Sequence, residues 1–192
     1  MSRVLSKADG AILLELARKS IYSVFDGSDV FVEEPLKEKF SINCGVFVTL
    51  RKLGKLRGCI GYARSAKPLY ETLINAAKSA AFQDTRFMPL TKDEFDRIEL
   101  EVSLLTEPTK IEDDCPTKIL SSIKVGRDGI LIKSSAFSGI FLPNQASSEP
   151  SWSSEDFLKF ACSKFGLREM AWQDPDSRLY KFRAQIFTDS QY

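Results

Sequence analysis

The stretch GVFVTLRKLGKLRGCIGYA, residues 45–63, constrains the fold more than any other part of this chain. Two runs rich in apolar and β-branched residues flank Lys52–Gly54, and the spacing predicts a β-hairpin. Strand side chains alternate between faces, which puts Val46, Val48, Leu50, Leu56, Gly58 and Ile60 on one apolar face. Phe47, Thr49, Arg51, Lys55, Arg57 and Cys59 fall on the other. This pairing sets Cys59 opposite Phe47, roughly 10 Å along the strand from Cys44. A disulfide needs Cα atoms within about 7 Å, so no bridge between the two is expected.

Around the hairpin the pattern switches to helical spacing. SKADGAILLELARKSIYSVF reads as a first helix capped by Ser6, with Ile12, Leu13, Leu16, Ser20 and Val24 as its core stripe and DGSD as its end. Residues 29–44 read as a covering loop. KPLYETLINAAKSAAFQD reads as a second helix with Pro68 in its first turn and a stripe of Leu69, Leu73, Ala76, Ala77 and Ala80. Thr91 and Glu94 have capping-box spacing at the head of a short helical turn. RIELEVSLL is a strand with Ile98, Leu100, Val102 and Leu104 on one side and Glu99, Glu101 and Ser103 on the other. CPTKILSSI reads as a short helix, and KVGRDGILIKSSAFSGIFLP as strands turning at Arg127–Gly129. The third main helix lies between Ser153, a cap, and Gly166, a stop. A last strand carries Tyr180, Phe182, Ala184 and Ile186 inward.

Helices and hairpins follow one another without regular β–α alternation. That order defines an α+β fold: a largely antiparallel mixed sheet with packed helices. The 192 residues suffice for one domain over 1–192 with no separable linker. A chain of this size buries about 70% of the surface its unfolded form exposes, so it needs no staples. There is no internal repeat, and the serine-rich stretch Ser147–Ser154 reads as a loop.

The chain contains no histidine. That removes Ser-His and Cys-His nucleophile pairs and imidazole zinc sites, and leaves Asp, Glu, Lys, Tyr or Cys for acid–base work. Cys44, Cys59, Cys115 and Cys162 include no C-x-x-C pair. No metal site and no cofactor motif are read, since both G-x-x-x-x-G-K-[ST] and G-x-G-x-x-G are absent. A net charge of +1 argues against nucleic acid as partner. With no signal-peptide run and no apolar stretch long enough for a membrane span, a cytoplasmic protein with reduced thiols is expected.

Candidate chemistry gathers at LRGCIG, residues 56–61. Arg57 and Cys59 share a strand face, and a neighbouring guanidinium favours thiolate over thiol. Gly58 and Gly61 let a ligand, or another backbone, approach closely. The segment from Gly61 to Pro68 leads into a helix N-terminus, which attracts anions, and carries Arg64 and Lys67. One reading is a small anion-binding pocket with a reactive thiol at its edge. In the other, Cys59 is a small buried hydrophobe and the glycines serve helix-on-sheet packing. Asp84 and Arg86 lie in one turn, either as a loop-locking ion pair or as functional groups. Glu101 is either solvated or, if the sheet brings it near Cys59, a general base. Ser121–Lys124 matches S-x-x-K without its companion motifs and is read as chance. Trp152 and Trp172 read as packing residues.

FVTLRKLGKLRGCIG, AAKSAAFQDTRFMPLTKDE, IELEVSLLTEP and DGILI…FLP, with W…EDFL…FGL…W…DPDSRLYKF, resemble the AMMECR domain family over nearly the whole chain. The resemblance implies an α+β domain with two lobes and a cleft between them, and no established biochemical activity. By motif, Leu56–Gly61 carry over, as do Asp84, Arg86, Phe87, Pro89 and Leu90. Glu101 matches an E-V-S strand and Pro143 an L-P pair. Two departures are Asn144, which intervenes before Gln145, and a longer serine-rich loop over 146–151.

Three functions stay open. The first is an enzyme or enzyme subunit. In it Arg57, Gly58, Gly61, Arg64 and Arg86 bind a small anionic ligand, Cys59 acts as nucleophile or redox centre, and Glu101 or Asp84 moves protons. The second is a module that binds a partner protein, with Cys59 structural. The third is a nucleic-acid-associated housekeeping protein.

Overall fold

The computed structural model describes residues 4–146 and 151–191. Residues 147–150 of the expected serine-rich loop lie outside them. The elements run α1 (Lys7–Asp26), α2 (Glu34–Lys39), β1 (Gly45–Lys52), β2 (Lys55–Tyr62), α3 (Leu69–Phe82), α4 (Lys92–Phe95) and β3 (Ile98–Leu105). They continue with β4 (Thr109–Lys110), α5 (Pro116–Ser122), β5 (Asp128–Lys133), β6 (Ser138–Phe141), α6 (Ser154–Lys164) and β7 (Arg178–Thr188). The fold is α+β, and the pairings β1–β2, β1–β3, β4–β7, β5–β6 and β5–β7 are antiparallel. The chain divides into two compact units, residues 1–105 with 185–192, and residues 106–184, so β7 contributes to both.

In the first unit β1 pairs with β2 on one side and β3 on the other. Val46, Val48, Leu50, Ile98, Leu100 and Val102 face a core closed by α1 and α3. All five stripe positions of α3 are buried, and three of them are alanine, so the helix axis lies close to the sheet. Ser6 caps α1 as expected, in a reciprocal box with Asp9. The buried face of α1 is centred on Leu13, Leu16, Ala17, Ser20 and Ile21, whereas Val24 is exposed. The region expected as loop over 29–44 contains α2, started by Pro35 in its first turn.

The hairpin departs from expectation in register. Its turn is two residues, Leu53 (φ 52°) and Gly54 (φ 73°), the left-handed pair of a type I′ turn. A bulge follows: Leu50 pairs with Gly58 and Arg51 with Leu56, leaving Arg57 as the extra residue. The shorter turn and the bulge together shift the partners by two. Cys59 therefore lies opposite Thr49, and Phe47 opposite Gly61. Leu56, expected inward, is exposed.

In the second unit β5 pairs with β6 and β7, and β4 pairs with β7. Ile130, Ile132 and Phe141 pack with Phe157, Leu158 and Ala161 of α6. Ser153 caps α6, and Gly166 at φ 72° follows its end, both as expected. Along β7 the buried side chains are Leu179, Phe182 and Phe187 rather than a strict alternation.

Candidate functional site

Three adjacent strands carry the candidate site. Register places Cys59 of β2 opposite Thr49 of β1, and Thr49 opposite Glu101 of β3. Side chains directly opposite one another share a face, so thiol, hydroxyl and carboxylate form one row across the sheet. The Thr49 hydroxyl donates to Cys59 Sγ at 3.3 Å. Ser103, two residues along β3, donates to Glu101 Oε1 at 3.4 Å. Thr49, Glu101 and Ser103 are all buried, at 4%, 9% and 1% exposure, so this face is not a solvated one.

The backbone of Cys59 is held from outside the sheet. β2 ends the strand order, and the edge groups of Cys59 meet side chains instead of another strand. Asp84 Oδ2 accepts the Cys59 N–H at 2.8 Å, and Arg86 Nη2 donates to the Cys59 carbonyl at 3.1 Å. Arg86 Nε and Nη2 also grip the two Asp84 oxygens at 2.8 and 2.6 Å. The expected Asp84–Arg86 pair therefore exists and locks Cys59 in place. The guanidinium and the two backbone N–H donors hold Asp84 down at about 2, so it stays ionised and is a weak proton acceptor.

Burial raises the Cys59 thiol above its ordinary value; Thr49 and Arg86 oppose the rise, while Glu101 and Asp84 add to it. Arg57, expected to act on Cys59, is engaged elsewhere. Arg57 Nη2 and Nε bind Glu94 at 2.8 and 3.3 Å, Nη2 reaches the Pro89 carbonyl at 3.4 Å, and only 14% of the side chain is exposed. Lys52 binds the same carboxylate at 2.9 Å, and the two cations hold Glu94 at about 2. The cation that touches Cys59 is instead Arg86, half-exposed and 5.6 Å from the ring centre of Phe87. Among the thiols, Cys115 is the one drawn downward: it is exposed, and the Thr117 hydroxyl and nearby backbone N–H groups favour its thiolate.

The glycines serve packing. A Cβ on Gly58 would lie 2.1 Å from the Ala80 carbonyl of α3, so this residue faces the helix and not a ligand. A Cβ on Gly61 would lie 2.2 Å from the Val46 carbonyl and 2.5 Å from the Phe47 ring. The expected anion site at the N-terminus of α3 is closed as well: Leu69 and Tyr70 donate to the carbonyls of Ile42 and Phe40 at 2.8 and 3.3 Å. Arg64 is exposed in the segment that precedes this helix.

Thr49, Ser103 and Glu94 are the residues sequence reasoning missed. Thr49 was already on the face of Cys59 by alternation, and only the register makes them partners. Glu94 keeps its capping contact with the Thr91 N–H while serving Arg57 and Lys52. Among the described residues no cluster of three acidic or thiol groups could hold a metal ion.

The AMMECR1 family profile matches residues 14–187. The chain therefore belongs to the AMMECR1 family. It is 43% identical over 184 residues to a protein of Methanothermobacter thermautotrophicus, covering 95% of both chains. With Nanoarchaeum equitans protein NEQ441 it shares 39% over 178 residues, covering 92% of this chain and 98% of that one. The crystal structure of the uncharacterized protein PH0010 from Pyrococcus horikoshii superposes with a TM-score of 0.84 at 38% identity, over 92% of this chain and 89% of that one. No helix among the described residues is long and apolar enough to cross a membrane.

Proposed function

We propose that the protein is an enzyme, or the subunit of one, working as one domain over 1–192. It binds a small ligand on the face of β1, β2 and β3 that carries Cys59, Thr49 and Glu101. Cys59 supplies the thiol, its proton passes by way of the intervening Thr49 hydroxyl to Glu101, and Arg86 rather than Arg57 meets the anionic group of the ligand. The observation that carries this reading is the row Cys59–Thr49–Glu101 on adjacent strands. Titratable and nucleophilic groups buried side by side on a sheet face are costly to keep, and such arrangements concentrate at functional sites. The raised thiol fits a centre that is protonated at rest and ionises only when a ligand alters its surroundings. The four free cysteines support a reducing, cytoplasmic setting.

Glu101→Gln tests the pairing. Removing the carboxylate charge relieves Cys59 of a nearby negative neighbour, so iodoacetamide alkylates it several-fold faster at about pH 8. An unchanged rate means that the two groups are not coupled, and the reading fails.

The engagement of Arg57 by Glu94 favours a second reading, in which the locked hairpin is a rigid surface for a partner protein and Cys59 is inert. A Cys59→Ala variant that folds and still binds that partner supports it.

A further inference from the structure

The second unit contains a cavity of about 550 Å³ that the Cys59 site does not involve. That volume lies within the range of small-molecule sites, about 300–1,000 Å³. Its apolar wall comes from Ile111, Ile119 and Leu179, and Pro116 and Pro175 stiffen the chain around it. Five charged side chains line it, and three are neutralised within the protein. Lys110 binds Glu112 at 2.5 Å, Asp113 binds Lys118 at 3.3 Å, and Asp174 binds Arg168.

Two opposite charges remain. Asp114 makes no hydrogen bond or ion pair with any described residue. Arg178 uses Nη1 for the carbonyls of Pro175 and Ser177, at 2.7 and 3.1 Å, and pairs with no carboxylate among the described residues. Asp176 is close enough to feel the Arg178 charge, but its own carboxylate is bonded to Ser135. A guanidinium has five N–H donors in a fixed fork, so Nη2 and Nε stay available for a bidentate carboxylate. Trp172 also lines the cavity; it is 2% exposed, and its buried indole N–H has no acceptor among the described residues. A buried donor left unpaired calls for an acceptor.

We propose that this cavity binds a zwitterionic α-amino acid with an apolar side chain: Asp114 takes the ammonium group, Arg178 the carboxylate, and Ile111, Ile119 and Leu179 the side chain. A ligand with both charges fits because one carboxylate and one guanidinium line the same cavity without a counter-charge among the described residues. A purely cationic or anionic ligand leaves one of them unmatched.

The test uses three probes on the full chain: L-phenylalanine, L-phenylalaninamide, which lacks the anion, and N-acetyl-L-phenylalanine, which lacks the cation. Binding is read from the Trp172 indole N–H resonance, identified by its persistence in Trp152→Phe. The expected result is a saturable shift with L-phenylalanine, at least about fivefold tighter than either derivative. Asp114→Asn removes the preference over the acetylated probe, and Arg178→Gln the preference over the amide. Pro116→Trp, a change at an exposed residue of the cavity lining, fills part of the cavity and abolishes the shift. No saturable shift, equal affinity for all three probes, or a shift that survives Pro116→Trp overturns the proposal.

Discussion

Asp84 accepts the backbone N–H of Cys59 at 2.8 Å while Arg86, clamped to the same carboxylate, donates to the carbonyl of that same residue at 3.1 Å. The ion pair thus takes the place of a further strand at the free edge of β2. It binds the one edge residue whose side chain points into the polar row.

Arg86→Met tests what holds Asp84. Without the guanidinium, only the two backbone N–H donors oppose burial. The carboxyl therefore rises from about 2 toward its ordinary value. A carbon-detected NMR titration of the Asp84 carboxyl reads the change directly. Asp84→Asn leaves the half-exposed Arg86 without its counter-charge and lowers stability by about 1 kcal/mol in urea unfolding.

Acid should weaken the fold in a defined window. Asp9, Asp84 and Glu94 are each held at about 2, against ordinary values of 3.8, 3.8 and 4.5. A carboxyl lowered by folding stabilises the native state above its unfolded value, and that contribution disappears as pH falls through the folded value. Stability is expected to fall between about pH 4.5 and pH 2, with little change from these groups above about pH 5.5. Denaturant titrations across that range check it, and the Asp84→Asn variant shows a shallower slope.

Gly58→Ala is expected to be among the harsher single changes in the hairpin. Its Cβ would sit 2.1 Å from a backbone carbonyl of α3, which cannot swing aside as a side chain would. Overpacking of this kind costs about 1–3 kcal/mol, and the midpoint of urea unfolding should drop accordingly. The same change at Gly54 acts by a different route, through its φ of 73° in open space.

A double-mutant cycle on Arg57 and Glu94 distinguishes an anchoring pair from a ligand-binding arginine. With 14% of the Arg57 side chain exposed and two of its nitrogens bonded to Glu94, coupling of about 1–2 kcal/mol is expected. Lys52→Met should reduce Glu94's contribution less, because its single contact is more exposed.

The alternating residues of β1, the small-residue stripe of α3 and the Ser153 cap were legible because each depends on neighbours along the chain. The partner of Cys59 was not. A two-residue turn and an extra residue at Arg57 each move the register, and neither leaves a mark that a count of alternation can detect. The fate of Arg57 was hidden for the same reason: its partner, Glu94, lies 37 residues away and already had a local explanation as a cap. The burial of Glu101 and Ser103 likewise depends on tertiary packing and not on their strand, which alternates as an exposed face would.

The most direct test of the central claim, that Cys59 is a neutral but reachable thiol tuned by Thr49, is the pH dependence of its alkylation by iodoacetamide in the folded chain, read by peptide mass spectrometry. Cys115 serves as the internal control. Cys115 is expected to react readily at about pH 7, while Cys59 is slow there, gains about tenfold per pH unit, and slows further in Thr49→Val. Cys59 reacting as fast as Cys115 at about pH 7, or remaining unmodified at about pH 10 in a chain that is still folded, would contradict the account.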